Sequence, residues 1–345
     1  VLFIGKNKNF YKNKNKNITY SFKQSNFLLK IYYCSISLLK LQPIQFGLFY
    51  SPKLRDYVKK NSHRYDILFF HQIRSVQYFP DGYSGKTILE MGDLYSNNYN
   101  QTYENLSVFN PLFYYYFIES ILVKKIENKS LSIFKKVILF SQKEISQINS
   151  NFRKKIFLIP ESTNVIQNKY KFWRKNYKIL FIGNLNYLPN KLACKYFIKK
   201  ILPSIRLKFP NIQFHIIGNV SKADKFLFNL NPNVKVLGQK TKIDKYIKGV
   251  ICGLANLKIA SGVQGKVLTY MSFGLPTICS TKVSANFGSA TISYKNDEEL
   301  ISKISNLVLR EKISKAYSVK SNNFIKKFLW KKISLNYLKL IKNFF

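Results

Sequence analysis

Residues 178–219 read KILFIGNLNYLPNKLACKYFIKKILPSIRLKFPNIQFHIIGN. An apolar run of strand length, 178–183, ends in Gly183. A segment with helical spacing follows over 190–209 and stops at Pro210, which cannot continue a helix. A second apolar run, 212–218, again ends in glycine. Parallel strands need a crossover connection, so strand, helix, strand at this spacing predicts a parallel βα unit. The alternation continues downstream: strands over 234–238, 250–254, 276–279 and 290–293, and a helix over 262–273 capped by Gly274. Upstream, the runs 65–70, 86–91, 137–140 and 155–160 read as strands, with a helix over 111–136 carrying Glu119 and Glu127 two turns apart. Residues 161–177 lack an apolar period and read as a linker, and the tail 321–345 reads as one long amphipathic helix.

The length of 345 residues suits two domains, and the 46% hydrophobic and 16% aromatic content supplies two cores, which excludes wholesale disorder. Lysine and arginine number 57 against 16 acids, a formal charge of +41. Such a field fits phosphates, acidic lipid or nucleic acid, although the lysine- and asparagine-rich bias of an A/T-rich genome produces the same imbalance. The lysines are spread throughout and no nucleic-acid motif is present, so nucleic acid is the weakest of these partners. Cys34, Cys194, Cys252 and Cys279 lie far apart and read as buried hydrophobes in a reducing compartment. His63, His71 and His215 are too scattered for a metal centre. No apolar run reaches the ~18 residues of a membrane span. Residues 6–17 are low-complexity and polar and read as a solvated loop. The chain opens at Val1 in a strand-like VLFIG, and the first domain is expected to be incomplete.

The stretch with the most chemistry is SGVQGKVLTYMSFGLP, residues 261–276. Gly262 and Gly265 allow close backbone approach, and a helix start exposes unpaired N–H groups and the positive end of its dipole. A phosphate or diphosphate suits such a place, with Lys266 adding a charged contact. Lys266, Thr269 and Tyr270 share one helical face, while Val267 and Met271 are placed to pack inward. A glycine turn before an ordinary surface helix fits the same residues. Gly183, Gly218 and Gly238 each end an apolar strand, and ligands of open α/β sheets bind beyond such ends.

Taken together, these stretches resemble the GT-B glycosyltransferases of the family 4 (group 1) type, most closely sugar transferases of exopolysaccharide loci. Residues 181–219, with the Y-x-P-N turn at 187–190, look like that group's first C-domain β–α–β unit. Residues 258–280 look like its donor-phosphate loop and helix, and YDILFFHQIRSVQYF and ILEMGDLYS match its first half. The resemblance implies an α/β GT-B fold of two Rossmann-like βα domains facing a cleft: 1–165 on the acceptor side, 166–320 for the nucleotide sugar, and 321–345 crossing back to the first domain. It implies a nucleotide-diphosphate-sugar donor, no further cofactor and no metal. Gly262, Val263, Gln264, Gly265 and Lys266 would cradle the diphosphate, Gly183 and Asn184 would lie near the phosphates and sugar, and Gly218 with the turn Gly238, Gln239 and Lys240 would flank the nucleoside. Transfer would proceed with retention to a lipid-linked or polysaccharide acceptor, in the cytoplasm or peripherally at the inner membrane face. Asp93 and His71 are the candidate catalytic groups, with a turn aspartate and a structural histidine as the competing readings, and Arg74 is a candidate phosphate contact. Members of the family commonly carry two glutamates eight positions apart where this chain has Ser261 and Thr269. The alternative implied is a catalytically degenerate nucleotide-sugar or partner-binding protein.

Overall fold

A computed structural model describes the chain except residues 1, 6–9, 13–17, 24–25, 164–165, 168, 176 and 261, and describes backbone alone for 2–5, 10–12, 18–21 and 23. The chain divides into two compact units, Val1–Ile159 with Phe344 and Pro160–Asn343 with Phe345.

The first unit runs β1 (Leu2–Gly5), β2 (Phe10–Lys12), β3 (Ile18–Lys23), α1 (Phe27–Leu39), α2 (Ile44–Leu48), α3 (Pro52–Asn61), β4 (Ile67–His71), β5 (Lys86–Gly92), α4 (Tyr95–Glu104), α5 (Pro111–Ile133), β6 (Lys136–Leu139), α6 (Gln142–Ser146) and β7 (Ile156–Leu158). Strands β4 to β7 pair in chain order as a parallel sheet. Ile88, Leu89, Val137, Ile138 and Leu139 are fully buried, as expected for parallel strands covered on both faces. In a separate three-stranded sheet, β1 pairs with β3 in parallel and β2 with β3 antiparallel. Phe10–Lys12 is therefore a strand where the sequence pattern suggested only a solvated loop; Phe10 and Tyr11 are good strand formers. The rest of that low-complexity stretch lies outside the described residues.

Glu119 and Glu127 both cap helices. A Glu119 carboxylate oxygen accepts the Ile44 N–H at the start of α2, and the other accepts from Gln45 Nε2 at 3.2 Å. Glu127 accepts the Ser96 N–H at 3.0 Å, in the first turn of α4, and also the Ser96 hydroxyl. One face of α5 thus satisfies the orphan donors of two other helices.

The second unit runs β8 (Lys178–Ile182), α7 (Leu188–Tyr196), α8 (Leu202–Lys208), β9 (Gln213–Ile217), α9 (Lys222–Asn229), β10 (Val234–Gly238), β11 (Val250–Ala255), α10 (Gly265–Ser272), β12 (Thr277–Ser280), α11 (Thr281–Ser284), β13 (Ile292–Tyr294), α12 (Asp297–Leu309), α13 (Glu311–Ile325) and α14 (Trp330–Lys342). Its six strands are all parallel, in the order β10-β9-β8-β11-β12-β13. The order reverses between β8 and β11, and such a switch opens a crevice beyond the strand ends.

The helix expected over 190–209 is present but widened. A π-helical segment, Phe197–Ile201, separates α7 from α8. Pro203 lies just beyond it; proline offers no N–H and its ring crowds the preceding turn, a demand that a wider turn meets. The tail departs from the single helix expected over 321–345. Leu329 is extended (φ −65°, ψ 135°) between α13 and α14. There the linker intrudes as a bridge: Thr163 N–H donates to Phe328 O at 2.8 Å and Trp330 N–H donates to Thr163 O at 2.9 Å. The linker is fastened elsewhere too, since Gln167 N–H bonds Ser272 O (2.6 Å) and Lys169 N–H bonds Phe273 O (3.0 Å) at the end of α10.

Tyr270 ties α10 to the sheet. Its ring lies on Gly253 of β11, where an added Cβ would meet Tyr270 Cγ at 2.2 Å. Its hydroxyl accepts the Ile182 N–H at 2.7 Å and donates to Leu254 O at 3.1 Å. The tyrosine is fully buried, which corrects its expected place on a ligand-facing side; Val267 and Met271 are buried as expected. Tyr270→Phe leaves two buried backbone groups without this partner and should cost about 1–3 kcal/mol in urea unfolding, with an unchanged denaturant slope. Gly253→Ala should cost at least as much, through overpacking.

Candidate functional site

Three glycine-ended strands of the second unit are laced together by backbone hydrogen bonds. Gly183 N–H donates to Ile217 O at 2.9 Å, Gly218 N–H to Gly238 O at 3.0 Å, and Leu185 N–H to Asn219 O at 2.7 Å. Gly218 has φ +150°, and a Cβ there would stand 1.8 Å from Gly183 O. Only glycine fits. Beyond these ends lies a cavity of about 1250 Å³, walled by Gly183, Asn184, Gly218, Asn219 and Gln239, by the loop 240–246, and by Gln167, Thr269 and Phe273.

The charge of this cavity is mostly positive. Lys240, Lys242 and Lys245 line it, and its one acid, Asp244, is paired with Lys169, whose hydrogen bond holds the carboxyl below its ordinary value. Tyr246 presents a ring 5.7 Å from Lys240 Nζ and 5.4 Å from Lys245 Nζ. Oxygen-rich anions with an attached ring match such walls: cations and backbone for the anion, a planar side chain for the ring. Of the residues singled out in the sequence, Gly183, Asn184, Gly218, Gln239 and Thr269 line the cavity, and Gly238 closes the strand before Gln239.

Gly262, Val263, Gln264, Gly265 and Lys266 are placed otherwise and are not among the lining residues. Gly262 O accepts from Asn286 Nδ2 at 2.6 Å, and Gln264 is the N-cap of α10. The Lys266 ammonium turns inward, donates to Asn190 Oδ1 and sits 4.3 Å above the Phe181 ring. Burial lowers its pKa to about 8. Asn190 in turn donates to Asn184 O at 2.9 Å. Lys266 thus reaches the cavity wall through Asn190 and the 183–184 turn. At the start of α10 the nearby anion is Glu161: a Cβ on Gly265 would meet its carboxylate oxygens at 2.7 and 2.8 Å. Ser261 lies outside the described residues, and the Thr269 hydroxyl donates to Gly265 O at 2.9 Å.

In the first unit the candidates gather at adjacent strand ends. His71 closes β4 and pairs in register with Glu90 of β5. Its Nδ1 lies 2.6 Å from Glu90 Oε1, and the hydrogen bond raises the histidine's pKa. The ring is otherwise open to solvent, while Glu90 is buried. Gln72 has φ +64°, a strained value for a residue with a side chain, and its N–H continues the ladder to Glu90 O at 2.8 Å. Arg74 is packed with its guanidinium 4.5 Å over Phe49. Asp93 follows Gly92 at the end of β5 beside Glu144, whose pKa burial and the Asp93 charge raise to about 8. Glu144 accepts the Leu94 N–H at 3.0 Å. Among the described residues no group of three or more His, Cys, Asp or Glu is arranged to hold a metal.

The site roles of Glu90, Asn190, Glu161 and residues 241–246 were missed by sequence reasoning, which reached only Lys240 of that loop. A lone acid inside the apolar run ILEMG was the available signal for Glu90, and the Y-x-P-N turn was the signal for Asn190. No local pattern marks the others.

Two parallel βα units, the second with a glycine-laced cavity at its strand ends, define the GT-B class. The chain is similar to TarM (16% identity over 83% of this chain and 57% of that one, TM-score 0.60). It is similar to Anabaena HepE solved with UDP-glucose (11% identity, 94% and 86% covered, TM-score 0.65). It is similar also to a trehalose-6-phosphate synthase analysed for glycosyltransfer with retention (11% identity, 99% and 93% covered, TM-score 0.65). The chain spans 57% of the length of TarM. The family model for glycosyl transferases group 1 matches residues 176–310, which lie within the second unit. No curated protein matches the chain.

Two titrations test this geometry. His71's native pKa is raised above the ordinary 6.5, so the pair's stabilisation is complete below that value and fades as pH climbs through the native one. Glu90→Gln should bring the His71 resonances, followed by NMR, back toward 6.5; an unmoved titration would remove Glu90 as their cause. For Lys266 the sign reverses. Between about 8 and the ordinary 10.5 the unfolded chain holds a proton the native chain has released, so stability gains with pH across that window. Relative to Lys266→Met, the wild-type urea midpoint should improve over the same range.

Proposed function

We propose that this protein transfers a sugar from a nucleotide-diphosphate sugar to a glycan or lipid-linked acceptor. The observation that carries the reading is the cavity beyond β8, β9 and β10, where no side chain can stand on Gly218 and three lysines face an open space of about 1250 Å³. Backbone N–H groups and lysines at strand ends suit a diphosphate. The Tyr246 ring and Gln239 suit a nucleoside, and Thr269 offers a hydroxyl for its ribose. The group 1 match within this unit, and the HepE structures in complex with UDP and with UDP-glucose, support that donor class.

In this reading the donor unit does three things. It fixes the diphosphate against the 183–184 and 218–219 turns. It holds Asn184 through Asn190 and Lys266. It offsets the charge that develops on the leaving diphosphate with Lys240, Lys242 and Lys245. The first unit takes the acceptor near the ends of β4 and β5. His71, oriented by Glu90, offers a ring nitrogen to an acceptor hydroxyl, with Asp93 at the neighbouring strand end. Retention of configuration is proposed by likeness to the synthase studied for that outcome. The setting proposed is cytoplasmic, at the inner face of the membrane, where a lipid-borne acceptor is met. Thr269, neutral where a carboxylate is common in the resembling family, favours a second reading: a nucleotide-sugar binder without transfer.

Calorimetry with UDP, GDP and ADP tests the donor site. One of them should bind in the micromolar to millimolar range. Lys242→Ala and Lys245→Ala should each weaken it about tenfold or more, the worth of one charge-assisted contact. Gly218→Ala should abolish it. No binding by any of the three sinks the proposal, and binding without donor hydrolysis or transfer selects the second reading.

A further inference from the structure

The first unit carries an apolar face that the described residues leave uncovered. One side of α1 is packed: Cys34 abuts Gly47 of α2, where a Cβ would meet Cys34 N at 2.3 Å, and Tyr33 meets the Tyr50 ring at 4.8 Å. The opposite side points to solvent with Phe27 and Leu28 each 75% exposed, Ile31 50% and Leu39 84%. Helix α5 lies alongside through α2, since its Glu119 holds the Ile44 N–H and acts on the Cys34 thiol. Its own outer stripe, Tyr114, Ile118 and Ile121, is exposed, and Phe109 in the turn before it is 94% exposed. Two neighbouring helices presenting aromatic and aliphatic side chains to water exceed the scattered exposure usual for a soluble surface.

The charges around this face are mostly positive. Lys30 is the only charged residue within α1, and Lys40 caps its end. On α5 the outer stripe leads to Lys125, while Glu119 is fully buried and engaged. Glu104, at the end of α4, is the nearby exposed acid, and it accepts from Asn100. Apolar side chains bordered by lysines, on helices parallel to a surface, form the pattern of an interfacial element. No helix among the described residues is long and apolar enough to cross a membrane. A second copy is a poor occupant, because two chains of charge +41 repel.

We infer that the outer face of α1, with Phe109 and the outer stripe of α5, is a docking surface for an anionic lipid bilayer, its apolar side chains entering the interface and Lys30, Lys40 and Lys125 meeting the headgroups. This deepens the reading of a membrane-borne acceptor by naming the surface that meets the lipid, and its test runs independently of donor binding. Vesicles of phosphatidylglycerol with phosphatidylcholine should sediment the full chain at least about tenfold more tightly than phosphatidylcholine alone. Phe109→Ser, in a turn where no helix is disturbed, and the double change Leu28→Ser with Leu39→Ser should each lower that partition several-fold. Lys30→Glu with Lys40→Glu should lower it and reduce its salt dependence. All variants should retain nucleotide diphosphate affinity in the second unit, so a folding defect or a failed donor site is seen separately. Absence of wild-type binding overturns the proposal. So does binding that ignores the apolar changes, which would mark a diffuse attraction of lysines elsewhere. A vesicle-inert dimer that Leu28→Ser dissolves overturns it in favour of a second copy.

Discussion

The carbonyl oxygen of Gly183 stands where a side chain on residue 218 would have to be. From that single exclusion the organisation of the second unit follows. The ends of β8 and β9 approach closely enough for Gly183 N–H to reach Ile217 O, and Gly218 N–H then reaches Gly238 O. Three strand ends are locked edge to edge, and their following turns open outward into one cavity rather than three separate loops. The lock is held from beneath by Tyr270, whose hydroxyl takes the Ile182 N–H. The strand ends and α10 are therefore joined through one buried side chain.

Electrostatics in this protein are settled locally. With 57 cations against 16 acids, several carboxylates are engaged at specific places in the fold. Glu119 and Glu127 cap helices, Glu90 orients His71, Asp244 pairs with Lys169, and Glu161 lies at the start of α10. The last placement shifts the expected cationic contact. The start of α10 already has a carboxylate beside it, and Lys266 faces inward to Asn190. The positive charge open to a ligand comes instead from the 240–246 loop.

Much of the fold was legible because its strands are buried on both faces and end in glycine or proline. The runs 178–183, 212–218, 234–238 and 250–254 reappear as β8 to β11 with small changes at their ends. What was not legible depends on contacts far apart in the chain. Nothing near Lys266 tells that its ammonium meets Asn190, 76 positions earlier. A helix places that side chain in its first turn without choosing between ligand and core. The linker's bridge to Leu329, which splits the tail helix, is equally remote. Helix α1 was missed for a different reason: its apolar residues occupy nearly all faces, so it lacks the period that betrays a packed helix. The 240–246 loop is polar and aperiodic, and only its position after β10 gives it meaning.

The linker's attachments redraw what counts as the second unit. The segment reads as a tether, yet Thr163 pairs with the turn before α14, and Gln167, Lys169 and Tyr170 take up the last carbonyls of α10. A fragment started at the first strand of the sheet would strip α10 of these partners and leave the Leu329 bridge half made. The second compact unit accordingly begins at Pro160, ahead of its first strand. Gene fusions or proteolytic cuts that respect only the sheet would sever a clasp, not trim a loose end.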